Sequence, residues 1–161
     1  MPTNAPANVK LPVVLYGVGG CMDSGTMEGG FLHEVASHGY LVIANNGPTS
    51  RGQVQADTLT KAADWVDKVA GTGKYASVDK SRMIVTGWSC GGLQAYTVGN
   101  DPRFAAIGIL SSGQFSEADS KAVAAKVTKP IFYFMGGSSD VAYPNVSIEP
   151  VRNPITYDIM I

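Results

Sequence analysis

Short apolar runs of strand length alternate with amphipathic helical patterns along this chain. Five runs are apolar at nearly every position, at residues 11–16, 41–44, 83–86, 105–110 and 131–135. Continuous apolar character is typical of strands that are buried on both faces of a parallel sheet. The pattern therefore predicts five such strands.

Helical patterns fill the intervals between these strands, at residues 31–37, 56–70, 91–98 and 116–127. In the second of them Leu59, Ala63 and Val66 recur at helical spacing, while Lys61 and Asp64 occupy the opposite face. Strands that alternate with helices imply right-handed crossovers and a sheet covered by helices on both faces. The expected class is α/β.

The last residues, 154–161, alternate in polarity with the period of a strand and predict a sixth one. The expected fold is therefore a mostly parallel sheet of five to six strands with helices on both faces. The chain has 161 residues, about the length of one domain. Residues 1–161 are accordingly expected to form a single domain, and we expect a monomer.

Composition narrows the range of partners. The chain is 45% hydrophobic and 16% charged, a composition that excludes a disordered chain. Its net charge of -1 gives no general electrostatic attraction for nucleic acid or for an anionic membrane surface. No apolar segment approaches the roughly 18 residues that a membrane span requires. Residues 1–8 lack the basic and apolar regions of a secretory signal. Neither nucleic acid nor a membrane is an expected partner.

The strongest chemical signal is Gly87-Trp88-Ser89-Cys90-Gly91, which lies between a predicted strand and a predicted helix. A G-x-S-x-G sequence at such a junction is typical of a nucleophile elbow, where glycines permit a strained turn that exposes the serine. The following helix directs its positive end at the site, which favours the negative charge that develops in acyl transfer. The alternative is a glycine-rich turn with an incidental serine.

An oxyanion hole normally combines the amide after the nucleophile with one from the loop after an earlier strand. The first amide would be that of Cys90. The second is expected from the glycine-rich loop that begins at Gly17, where Val18 is the favoured donor.

The same loop allows a second interpretation, because Gly17-Val18-Gly19 begins a dinucleotide-binding G-x-G-x-x-G sequence. The sixth position is Met22, however, and the next strand ends at Asn45 and Asn46, where an acidic ribose ligand would be needed. The sequence therefore argues against a nucleotide cofactor, and none is expected.

The acid of a catalytic triad is expected after a later strand. Asp140 fits this position, since it follows the strand at 131–135 through a short glycine-containing link that starts at Gly136. The alternative is an aspartate that stabilises its own turn through a side-chain hydrogen bond.

The two histidines, His33 and His38, both precede Ser89, which is the wrong chain order for the triad base. Their spacing also differs from that of the zinc motif H-E-x-x-H. Five residues advance about 500° around a helix, so the two rings would not share one face. No metal site is predicted.

Five segments, LPVVLYGVGG, ASHGYLVIANN, GWSCGGLQAY, DPRFAAIGILSSG and KPIFYFMGGSSDVAYPN, occur in this order. Together they resemble the α/β-hydrolase superfamily, specifically its dienelactone-hydrolase-like or esterase-like secreted proteins. The resemblance covers most of residues 11–145 and implies hydrolysis of a small or polymeric carboxylic ester outside the cell. It implies Ser89 as nucleophile, Asp140 as triad acid, and Val18 with Cys90 as oxyanion donors.

Proteins of this kind usually continue to a loop that carries the triad histidine and to a final helix. This chain ends at Ile161 with neither, so it resembles a truncated member of the family. Weak or absent esterase activity is the expectation. A non-catalytic binding protein of the same fold, or a truncated product without function, is the alternative.

Cys21 and Cys90 flank the two halves of the expected oxyanion hole. A disulfide between them would fix both amides in place. The alternative is that the two cysteines are buried thiols.

The neighbouring Trp88, Tyr143 and Met22 are expected to line a substrate pocket, since binding clefts favour aromatic and apolar walls. Simple packing beneath the elbow is the alternative for Trp88.

Overall fold

A computed structural model describes residues 1–3, 5–6, 8–45, 47, 50, 52, 55–142 and 156–160. Tyr143 and Asn46 lie outside the described residues. The strands are β1 (Leu11–Gly17), β2 (Leu41–Ala44), β3 (Val78–Trp88), β4 (Phe104–Leu110), β5 (Ile131–Met135) and β6 (Thr156–Met160), and the helices are α1 (Gly29–Ser37), α2 (Asp57–Val69), α3 (Cys90–Val98) and α4 (Glu117–Ala124).

These strands form one sheet in the order β2-β1-β3-β4-β5-β6, and every neighbouring pair is parallel. A parallel strand pair needs a crossover of a dozen or more residues, usually a helix. The helices between the strands meet this need for most pairs. The expected α/β class, with a parallel sheet of five to six strands, is confirmed.

The two faces of the sheet are covered by different helices. Val13 and Leu15 of β1 belong to a large core with residues of α2 and α3, whereas Tyr16 packs in a smaller core with Leu32 of α1. Successive side chains of a strand point to opposite faces, so these two cores lie on opposite sides of the sheet. Helices therefore cover both faces, as predicted.

Strand β3 is longer than the apolar run at 83–86 that predicted it. Its first half contains the half-buried Asp79 and the exposed Lys80 and Ser81, while Val78 is buried and lies opposite Leu11 of β1. An exposed polar segment cannot be recognised as a strand by continuous apolar character. The carboxyl end of β3, which carries the elbow, agrees with the prediction.

The carboxyl ends of β1 and β3 lie where the strand order of the sheet changes direction, from β1 to β2 on one side and from β3 to β4 on the other. Strands β1 and β3 are neighbours, but the helix after β1 packs on one face and the helix after β3 on the other. Loops that leave adjacent strands toward opposite faces open a crevice at the carboxyl ends of those strands, where open α/β sheets bind their ligands.

In the described part of the chain, no helix is long and apolar enough to cross a membrane.

Candidate functional site

Ser89 occupies a strained turn between β3 and α3. Its backbone has φ 52 and ψ -119, outside the conformations that non-glycine residues ordinarily adopt. Its amide donates to the Leu110 carbonyl at 3.0 Å, and its own carbonyl accepts from the Gly92 amide at 2.9 Å. The surrounding backbone therefore holds the serine in this conformation.

The glycines on either side of Ser89 are required by close backbone contacts. A Cβ atom on Gly91 would lie 1.9 Å from the Gly17 carbonyl oxygen, and one on Gly87 would lie 2.3 Å from the Gly91 backbone. Both distances are shorter than any real Cβ contact, so a side chain at either position would push β1, β3 and α3 apart. The spacing of the G-x-S-x-G sequence thus follows from how tightly this turn packs.

A second serine, in the segment that follows β4, supports the elbow and was not predicted. The buried Ser112 donates its hydroxyl to the Ser89 carbonyl at 2.6 Å. Gly92 lies against the same side chain, since a Cβ there would approach the Ser112 Cβ to 2.5 Å. The signal in the sequence was the Ser-Ser-Gly segment directly after the strand at 105–110, a position at the same sheet edge as Ser89.

A cavity of about 140 Å³ opens beside the half-buried Ser89. The described residues that line it come from α3 and from the loops after β4 and β5, and include Leu93, Ser111, Phe115 and Val141. The nucleophile predicted from the motif is therefore accessible from this cavity. Its walls were not predicted, because they come from three segments that are distant in the chain.

The residues expected to line the pocket lie elsewhere or outside the described residues. Trp88 is 40% exposed and covers Gly19, where a Cβ would lie 2.1 Å from its ring. Met22 is 51% exposed. Neither is among the described residues that line the cavity beside Ser89, and the packing alternative accounts for the contact of Trp88.

The two amides expected to form the oxyanion hole differ in availability. Cys90 opens α3, and its amide has no hydrogen bond within the described residues. The Val18 amide instead donates to the buried Asn45 Oδ1 at 2.9 Å, and the Gly19 amide donates to Glu28 Oε1 at 3.2 Å. The Val18 amide thus already has an acceptor in this structure, which the sequence pattern did not predict, and its role as an oxyanion donor stays a prediction.

A disulfide joins Cys21 to Cys90, with the Cα atoms 5.1 Å apart. This separation lies within the usual range for disulfides, about 4.4–6.8 Å. The predicted pairing is confirmed. It ties the loop after β1 to the first residue of α3, across the crevice between β1 and β3.

Asp140 lies after β5 at the same edge of the sheet, next to Val141 of the cavity wall. Its Oδ2 accepts from the Gly136 amide at 3.1 Å and its Oδ1 from the Ala142 amide at 2.9 Å. Partial burial raises the pKa of Asp140, but hydrogen bonds from the Ser111 side chain and these amides outweigh it and hold the pKa below its ordinary value. The carboxylate therefore stabilises its own turn.

We expect Asp140→Asn to lower the free energy of unfolding by about 1–3 kcal/mol at neutral pH, because the ionised carboxylate accepts stronger hydrogen bonds than an amide. The folded-state pKa is depressed, so this stability is present above the ordinary pKa of 3.8 and is lost as the pH falls below it. Urea unfolding of both chains at neutral pH and at about pH 2.5 measures the effect. An equal difference at both pH values would contradict it.

Neither histidine contacts Ser89 through a hydrogen bond in the described part of the chain. Both lie exposed on or just after α1, and His38 Nε2 lies 3.1 Å from Glu34 Oε1. The described residues thus contain a serine in a strained strand-to-helix turn, one helix-end amide without a hydrogen bond and an ionised aspartate at one sheet edge, without an imidazole at the serine.

Comparison with models of known protein families and with the sequences of curated proteins found no match for this chain.

Proposed function

We propose that this protein is a serine hydrolase of carboxylic esters with Ser89 as its nucleophile. The observation that carries the proposal is the backbone conformation of Ser89, φ 52 and ψ -119, in a glycine-flanked turn at the start of α3. Strained backbone of this kind persists where the surroundings hold it and is concentrated at functional sites. The adjoining cavity gives an ester access to the hydroxyl.

In the proposed reaction the Ser89 oxygen attacks the ester carbonyl carbon and releases its proton to solvent water. The carbonyl oxygen takes up the negative charge beside the Cys90 amide, at the positive end of α3. The alcohol leaves with a proton, and the acyl group stays on Ser89. Water then attacks the acyl carbonyl, which releases the carboxylic acid and restores the serine.

The proposed rate is low because the described residues place no general base at the hydroxyl. A serine without its base is a weak nucleophile. Enzymes of this type that lack a triad member retain only about a 10³–10⁴-fold advantage over water, from the oxyanion hole and binding. Asp140 is the candidate triad acid in this proposal, which is supported by its position after β5, at the same edge of the sheet as Ser89.

Covalent labelling of the full chain with a biotinylated fluorophosphonate tests the proposal. We expect slow, stoichiometric labelling that mass spectrometry locates at Ser89 and that Ser89→Ala abolishes. Ser37→Ala is the matched control, since Ser37 is an exposed serine on α1 whose hydroxyl bonds only the Glu34 carbonyl of its own helix. Its labelling should equal that of the wild type.

Absence of labelling in a folded sample would favour the second candidate, a protein that binds an ester-like ligand without turnover. Two observations favour this alternative. The Val18 amide is already occupied by Asn45, and both histidines lie exposed on or just after α1. In that case the cavity beside Ser89 would serve for binding alone.

A further inference from the structure

A second cavity, of about 350 Å³, lies between α3 and α4. Its apolar lining residues are Leu93, Tyr96, Phe115, Val123 and Val127, and its polar ones are Thr97, Asn100, Gln114 and Lys126. Two of these residues, Leu93 and Phe115, also line the cavity beside Ser89. The two cavities therefore adjoin across a shared wall.

The volumes of the two cavities indicate how much of a ligand each cavity can hold. Pockets that enclose an organic ligand typically measure about 300–1,000 Å³. The cavity beside the serine is only about 140 Å³, whereas its neighbour is about 350 Å³. The reacting group of an ester fits the first cavity, and a larger substituent must extend beyond it.

The shared wall is suited to contact with an apolar substituent. Phe115 is 79% exposed, an unusual state for a large aromatic side chain. A ligand that covers this ring removes a large apolar surface from water, which favours binding. Phe115 therefore favours a ligand that runs from one cavity into the other.

We infer that the cavity between α3 and α4 is the subsite for the larger, apolar half of the ester substrate. The inference rests on the proposed function and adds to it the class of substrate: an ester with one small half and one extended apolar half. Leu93 and Phe115 are then specificity-determining residues. The long half is either the acyl chain or the alcohol, and the two arms of the test separate these cases.

The test is a blocking substitution away from the nucleophile, Thr97→Trp, which adds an indole to the α3–α4 cavity. Thr97 is exposed and is not among the described residues that line the cavity of Ser89. Hydrolysis is compared for p-nitrophenyl acetate and p-nitrophenyl octanoate, and in the second arm for ethyl acetate and octyl acetate. Thr72→Trp is the matched control, an exposed threonine whose hydroxyl likewise bonds a backbone carbonyl.

We expect Thr97→Trp to lower kcat/KM for the octanoate, or for octyl acetate, by about tenfold or more. The ratio of kcat/KM for the long ester to kcat/KM for its matching acetate should fall in the arm whose long half occupies the α3–α4 cavity, and Thr72→Trp should leave both ratios unchanged. Ser89-dependent acetate hydrolysis with no selective loss on either long ester would overturn the subsite and leave the proposed function intact. If Ser89→Ala hydrolyses every ester as fast as the wild type, both proposals fail.

Discussion

Gly91→Ala is expected to lower the free energy of unfolding by about 3 kcal/mol or more, the upper part of the range for overpacking. The added methyl group would lie 1.9 Å from the Gly17 carbonyl oxygen. That oxygen belongs to the backbone of a buried central strand, which cannot move aside as a flexible side chain could. Relief requires α3 to shift away from β1, and Ser89 would shift with it.

Gly30→Ala is the matched control. Gly30 lies in α1, where a Cβ would meet nothing within 4 Å. The same change there should be neutral or should stabilise the chain by about 0.5–1 kcal/mol, because alanine is the better helix former. Urea unfolding of the three chains measures both effects. Equal stability of Gly91→Ala and the wild type would show that the elbow is not packed as described.

The sequence predicts those parts of the fold that depend on local patterns. The strand at 131–135 has its predicted limits because every residue in it is apolar. The first half of β3 was missed because Asp79, Lys80 and Ser81 are polar and lie at a register shift, between the residues Val78 and Met83 that pair with β1. Local periodicity reports burial, and it fails where a strand is held by its neighbours alone.

Within the site, too, the features that depend on local sequence could be predicted, whereas those that depend on strand pairing could not. The position of Ser89 follows from five consecutive residues, and the glycines beside it have a direct steric cause. The partner of the Val18 amide could not be predicted, because Asn45 is 27 residues away in the chain and meets the loop only through the pairing of β1 with β2. Ser112 was missed for a similar reason, since β4 lies beside β3 only in the folded sheet.

Asp140 shows that a position can be predicted while its role stays open. The sequence allowed both a triad acid and an aspartate that stabilises its turn. The carboxylate accepts from the Gly136 and Ala142 amides, which is the second interpretation. The two roles are compatible, because an ionised carboxylate offers about four lone-pair sites and a fixed orientation suits a residue that positions a base.

Loss of the Cys21–Cys90 disulfide is expected to lower the free energy of unfolding by about 4 kcal/mol, the largest effect predicted for any single contact here. The two cysteines are 69 residues apart in the chain, so the bond closes a long loop. In the chain-entropy account, a longer loop restricts the unfolded ensemble more. A domain of ordinary stability, about 5–15 kcal/mol, would lose a large fraction of it.

Urea unfolding with and without a reducing agent measures this effect, and the double variant with Cys21→Ser and Cys90→Ser supplies the control. The wild type should become less stable under reduction, whereas the double variant should be equally unstable in both conditions. Identical curves for the oxidised and reduced wild type would contradict the prediction. The bond also joins the loop after β1 to the residue that follows Ser89. Reduction should therefore increase hydrogen exchange at the Gly92 and Leu93 amides, which donate to the Ser89 carbonyl, more than at the amides of α2. A change confined to the unfolded state would not produce this difference.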